Sequence, residues 1–308
     1  MNEQLLLLED ANQRLRLLPR LGAAVASWDW KTARGDVPLF RRWDEKSDDR
    51  YTFACFPLLP WSNRITQGGF AHQGAHYPIR PNRVGEPYPI HGDAWLQAWQ
   101  VEHCDRELAV LSLHSRRHLD NPWEYDAEQR FALHPDGMTI SLIVTHRGSR
   151  PLPYGLGLHP YFPCDRSTLL QATAGGTWLS GSDPIPIAHT TTLPPGWDFN
   201  RPARVAEGGA VDNCFSGWDG VMRIEWPQHT LALTMQAENH NGYSLLYRPP
   251  DPQFFCFEPI SHPIDAFHMK ARPGLAVLGN GQSARMDVNF RIGPGAPENA
   301  QTQSTRSE

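Results

Sequence analysis

His159 stands in "GLGLHPYFP" (155–163), a titratable ring at the end of a glycine-spaced apolar run with a proline directly behind it. Pro160 fixes φ and lacks an N–H, so the strand is expected to stop at His159. Gly155 and Gly157 leave room for close approach, and Tyr161 and Phe162 can wall a pocket. Glu258 repeats the pattern in "FFCFEPISHPIDAFH" (254–268), where four apolar residues run into the carboxylate and then Pro259. A carboxylate behind such a run is costly unless it is partnered or functional. Three further stretches bring polar groups to apolar edges. "LLPWSNRITQGGF" (58–70) carries Arg64, "PIHGDAW" (89–95) carries His91, and "AVDNCFSGW" (210–218) carries Asp212 and Asn213. Each has a plainer alternative: a satisfied histidine at a strand end, a surface ion pair, a capped turn, a pair of turn formers. Jointly, one acid, two histidines, an arginine and an aspartate at strand exits describe the lining of one polar pocket.

Composition narrows what such a pocket would take. The 308 residues carry a net charge of −5 and no basic run, which argues against a nucleic-acid or membrane-surface partner. No apolar stretch approaches the roughly 20 residues of a membrane span. The opening "MNEQLLLLEDANQRLRL" has neither a basic leader nor a cleavage site, so a cytoplasmic location is expected. The five cysteines are scattered without CxxC spacing, and each is expected to behave as a small buried hydrophobe. Eleven tryptophans and fourteen histidines suit a polyhydroxylated ligand, and equally suit a core. His72 and His76 lie four apart in "GGFAHQGAHY", but with no helical pattern and no spaced carboxylate they do not make a metal site.

The elements that position these residues read as strands. "RLRLLP", "AAVASWDW", "AWLQAWQVEHC", "LAVLSLHS", "QRFALHPDGMTISLIVTHRG", "HTLALTMQAE" and "ARMDVNFRIG" alternate with period two and are separated by turn residues. "HPDG" (134–137) is a hairpin turn signal. No segment shows an apolar stripe at helical spacing, and "NPWEYDAEQ" (121–129) supplies one helical turn at most. With 28 prolines and 25 glycines, the chain is expected to form an all-β, large antiparallel β-sandwich. One domain over 1–292 is expected, followed by a disordered tail over 293–308.

"NRI…GGF", "HG", "GLGLHPYF", "DNCF…GW" and "FEPISHPIDAF", in that order, resemble the aldose 1-epimerase (galactose mutarotase) family. The closing "GLAVLGNGQSARMDVNFRI" is similar to that family's last strands, and the likeness spans about residues 15–292. The resemblance implies the galactose mutarotase-like supersandwich and interconversion of α and β sugar anomers. It implies Glu258 as general base, His159 as general acid, and Arg64, His91 and Asp212 as holders of sugar hydroxyls, His91 also beside the ring oxygen. It implies no cofactor, no metal and a small-molecule sugar partner, with the protein a monomer or homodimer. "HGDAW" departs from the pattern, with Asp93 and Ala94 where an aromatic is more typical.

The chemistry explains the residue types. Ring opening needs a base on the C1 hydroxyl and an acid on the ring oxygen, and closure reverses the roles. At pH 7 an ordinary glutamate is ionised and an ordinary histidine is about a quarter protonated, a fraction that a neighbouring carboxylate raises. A bell-shaped pH profile is the expectation. Trp61 and Trp218 are candidate stacking faces for a sugar ring. The cations Arg80, Arg83, Lys270 and Arg272 leave open a substrate with an anionic C6 group, a 6-phosphate or a 6-sulfonate such as sulfoquinovose. A non-catalytic sugar-binding protein is the alternative from another class.

Overall fold

The computed structural model describes residues 5–47 and 49–297. Alternation is the organising rule. Along Gly137–His146, Met138, Ile140, Leu142 and Val144 turn inward, and along Glu124–His134 so do Tyr125, Ala127, Phe131 and Leu133. These two strands form the hairpin anticipated from "HPDG", closing with His134 opposite Gly137. Gly137 has φ +156° and lies so close to Phe290 O that a Cβ would overlap it. The hairpin sits within a nine-stranded antiparallel sheet that runs from Ala203–Arg204 at one edge to Gln100–Cys104 at the other.

A second sheet has the order Pro186–Thr190, Gly176–Ser180, Val211–Ser216, Tyr243–Arg248, Phe254–Ile260, Gly157–Leu158 and Pro57–Leu58, with Tyr161–Pro163 also paired to Phe254–Ile260. Its inward face, including Val211, Phe215, Leu246, Phe255 and Phe257, joins the nine-stranded sheet's apolar face in one core. Burial of each such side chain stabilises the sandwich by about 1.5–3 kcal/mol. The outward face carries Cys214, Leu245, Cys256 and Ile260, and is covered by Leu18, Ala24, Ala26, Phe53, Phe56 and Trp95 from the N-terminal third. The candidate residues Asp212 and Glu258 alternate with the inward side chains and so lie on this second face. A separate four-stranded sheet spans Leu6–Glu9, Gln13–Leu18, Ala24–Thr32 and Gly35–Pro38.

Among the described residues there is no α-helix, only single 3-10 turns, and thus no helix long and apolar enough to cross a membrane. "NPWEYDAEQ", expected to supply one helical turn at most, supplies none: the strand begins at Glu124, and Trp123 and Tyr125 are each fully buried. Three details differ from the expectations. In "AWLQAWQVEHC" only Gln100–Cys104 is a strand, Ala94–Leu96 being a 3-10 turn. Cys104 is exposed, whereas the other four cysteines are buried. The last strand, Ser283–Pro294, extends two residues into the stretch assigned to the tail, pairing Gly293 and Pro294 with Ala232 and Leu231. Residues 298–308 of that tail lie outside the described residues.

Candidate active site

The strand Gly157–Leu158 ends where Pro160 requires, one residue before His159. His159 N–H donates to Phe56 O and Tyr161 N–H donates to Ala54 O, so the backbone is anchored on both sides of the proline. Gly155 packs against the His262 ring and Gly157 against Ile260 and Pro259 O, the close approaches for which those glycines are needed. Glu258 behaves differently from expectation: Pro259 does not end its strand, which continues to Ile260. The reason lies in the pairing. Ser261 N–H donates to Leu156 O, so the Pro259 nitrogen, two residues earlier, faces the same side. On that side no residue from Phe257 to Pro259 is paired, and the missing donor costs the sheet nothing.

His159, just past its strand, and Glu258, within its own, bring Nε2 of the ring to 3.2 Å from Oε1 of the carboxyl group, with both side chains buried. The His159 ring is held between Phe56 and Tyr161, each with its ring centroid 4.7 Å away. His159 Nδ1 and Glu258 Oε2 are buried and have no protein partner. Such orphaned atoms are expensive in a core, and here they belong to side chains lining a cavity of about 280 Å³. Arg64, His91 and Asp212 line the same cavity, so all five candidate residues converge.

The loops deliver the remaining groups. Asn63 N–H donates to His91 Nδ1 while His91 N–H donates to Asn63 O, a reciprocal clamp between the two loops. His91 has φ +61°, and Gly92, φ +68°, comes so near Leu59 O that no Cβ fits. Because Nδ1 accepts, the neutral His91 ring carries its proton on Nε2 and can donate it to a ligand. Arg64 is buried, and its Nε and Nη2 each donate over 3.0 Å to Glu86. Asp212 lies within the strand Val211–Ser216 and not in a turn, while Asn213 turns away to donate to Trp178 O.

Burial pushes Glu258 well above the ordinary carboxylate range, with Asp212 adding to the rise and Arg64 opposing it. Burial pushes His159 down to about 3, and the Arg41 guanidinium adds to the fall. The expected imidazolium is therefore not the resting form. Loss of water opposes charge on both side chains and favours the neutral acid beside the neutral imidazole. Burial, then His159 and Arg64, keep His91 neutral as well.

Several side chains went unnoticed in the sequence. Tyr51, Tyr247 and Phe254 wall the cavity, whereas Trp61 and Trp218 are buried in the main core and do not reach it. Glu86 was overlooked although "GEPY" repeats the motif of an ionisable residue followed by proline seen at His159 and Glu258. Of the four cations considered for an anionic substrate, none lines the cavity. Arg83 pairs with Asp49 and lies over Tyr51, Arg80 is exposed beside Asp120, Arg272 binds His72 and Ala71 O, and Lys270 is exposed. His72 and His76 sit on opposite strands of the hairpin Gly69–His72 and Ala75–Pro78.

The aldose 1-epimerase family model matches residues 4–291. The chain belongs to the aldose 1-epimerase family. It is 35% identical over 268 residues to the uncharacterised Escherichia coli K12 protein YphB, covering 84% of this chain and 90% of that one. A second uncharacterised E. coli K12 protein, YihR, is 24% identical, covering 76% of this chain and 77% of the relative. Among solved structures, a provisionally assigned aldose 1-epimerase of E. coli K12 superposes with a TM-score of 0.87 at 31% identity, covering 94% of this chain and 99% of the other. An aldose epimerase homologue from C. elegans gives 0.81 at 17% identity, covering 94% and 99%, and shows the shared fold. Family membership makes the chain an isomerase of the mutarotase type with the galactose mutarotase-like β-sandwich.

Proposed function

We propose that this aldose 1-epimerase opens and recloses an uncharged free hexose, with Glu258 and His159 as the proton-transfer pair. The supporting observation is the 3.2 Å contact between Glu258 and His159 in a cavity sized for one sugar ring and edged by Arg64, His91 and Asp212. Ring opening breaks the C1–ring-oxygen bond. Glu258 takes the C1 hydroxyl proton as the C1 carbonyl forms, and His159 gives a proton to the ring oxygen. The open-chain aldehyde rotates about C1–C2, and the two groups reverse roles on closure, so the pair ends with the one proton it began with.

The resting protonation is compatible with that cycle. Passing the proton across the contact gives carboxylate and imidazolium, and sugar hydroxyls donating to Glu258 favour this form once water has left the site. Because the competent pair is singly protonated, kcat/KM falls only as pH drops toward about 3, where His159 also protonates, or rises past the elevated Glu258 value. Arg64, His91 and Asp212 hold ring hydroxyls and fix the orientation. An uncharged hexose is favoured over a C6-anionic one because Arg64, the single lysine or arginine among the lining residues, is already paired with Glu86.

Anomer exchange followed by NMR or polarimetry on freshly dissolved α-glucose and α-galactose tests the reading, with Glu258→Gln as control. Protein-dependent exchange that the variant abolishes is the expected result. Equal rates with and without protein for every sugar would instead indicate a binding protein.

A further inference from the structure

Glu86 is the one cavity carboxylate with no part in the proton transfers or the hydroxyl binding proposed above, and its position gives it another task. It lies on the loop between residues 79 and 90, whose ends are fixed by other contacts. Asn82 brackets Ile90 and Gly92 through three hydrogen bonds, and Tyr88 donates to Asp183 across a neighbouring loop. Glu86 is thereby held against Arg64 in a two-point pairing, both side chains largely shielded from solvent. The third Arg64 contact, Nη1 to Asn63 Oδ1, leaves the guanidinium in one orientation. Two cations stand behind the wall and do not line the cavity: Arg41 is turned onto the Tyr161 and Phe254 rings and a backbone carbonyl, and Arg83 lies over Tyr51 and pairs with Asp49.

We infer that Glu86 is a charge-selecting residue: by occupying Arg64 it makes the site reject sugars bearing an anionic substituent. The inference rests on the sugar-binding reading above and narrows its substrate class. An anionic ring substituent entering about 280 Å³ meets Asp212 and Glu86 at close range, and the one lysine or arginine among the lining residues, Arg64, is already paired. Removing the Glu86 charge while keeping its shape releases the Arg64 fork, which is well matched to a carboxylate or phosphate. Discrimination here comes from a repulsive element as much as from an attractive one.

The test compares glucose with glucuronate, which differs by a carboxylate at C6, in wild type and Glu86→Gln. The wild type is expected to favour glucose, and the variant to narrow the ratio of kcat/KM values by about tenfold or more. A ratio that moves less than about twofold in a folded variant overturns the inference. A binding measurement on the wild type needs neither the variant nor turnover. Glucuronamide, the neutral isostere, should bind at least about tenfold more tightly than glucuronate in an NMR titration, and equal binding overturns the inference. A protein that binds these sugars with that preference but exchanges no anomers would refute the catalytic reading and leave the charge selection standing.

Discussion

Two buried histidines and two buried carboxylates divide this molecule into a wall proposed to act and a support that holds. His262 follows a strand and precedes a proline, as His159 does, yet both of its nitrogens are engaged. Its Nε2 accepts from Ser62 N–H at 3.1 Å and its Nδ1 contacts Pro263 O at 2.8 Å. Asp93 is as buried as Glu258, yet Tyr125, Asn121 and Gln97 all donate to it. His159 and Glu258 have only each other and leave one polar atom apiece unpaired. Burial alone therefore does not identify a reacting group. Burial with unfinished hydrogen bonding, facing a cavity, is what sets the two side chains proposed to react apart from His262 and Asp93.

Substitutions that separate chemistry from stability test this division. The largest effect belongs to the acting wall. Glu258→Gln should lower kcat/KM for anomer exchange by about 10²–10⁴, and removing His159 as well should add little because the pair works as a unit. The melting temperature of Glu258→Gln should stay level or rise, since the variant keeps a neutral group where burial already disfavours charge. A variant that loses stability and activity together would place Glu258 in the support.

His262→Ala should do the reverse. It opens a cavity beside Gly155 and strands Ser62 N–H and Pro263 O, at a cost of about 2–4 kcal/mol in denaturant unfolding. Turnover per folded molecule should change far less than in Glu258→Gln. A variant as stable as the parent but inactive would move His262 into the chemistry.

A smaller, pH-dependent effect belongs to Asp93. Burial raises its carboxyl to about 6 against an unfolded value near 4, with its three hydrogen bonds opposing the rise. The folded protein therefore binds this proton more tightly than the unfolded chain does. The resulting stability is fully present below about pH 4 and is lost as pH rises through about 6, on the order of 2–3 kcal/mol over that window. Asp93→Asn, always neutral, should lack this slope. Stability curves for parent and variant that run parallel from pH 4 to 7 would contradict the assignment.

Much of this division was legible in the sequence, and its gaps have physical causes. Period-two alternation announced the strands because one face of each buries against the core, as Ile140, Leu142 and Val144 do. Proline after His159 marked a strand exit correctly; after Glu258 the same signal misjudged the strand's end, because only the pairing shows that the Pro259 nitrogen faces an open side. Glu86 and Tyr51 lie on loops whose approach to Arg64 and His159 depends on long-range contacts, and local pattern carries no such information. The protonation of the pair was misjudged for a related reason: its sign turns on how completely two side chains lose water, which is a property of the fold and not of residue type. The family resemblance supplied the expectation that distant residues meet, and the geometry shows Glu258, His159, Arg64, His91 and Asp212 around one cavity.

The central claim is that one sugar ring spans both members of the pair. A crystal structure with bound glucose or galactose tests it directly. The account predicts the C1 oxygen and the ring oxygen each within about 3 Å of Glu258 or His159, one on each residue. A sugar bound in this cavity with its C1 end turned away from both side chains would contradict it.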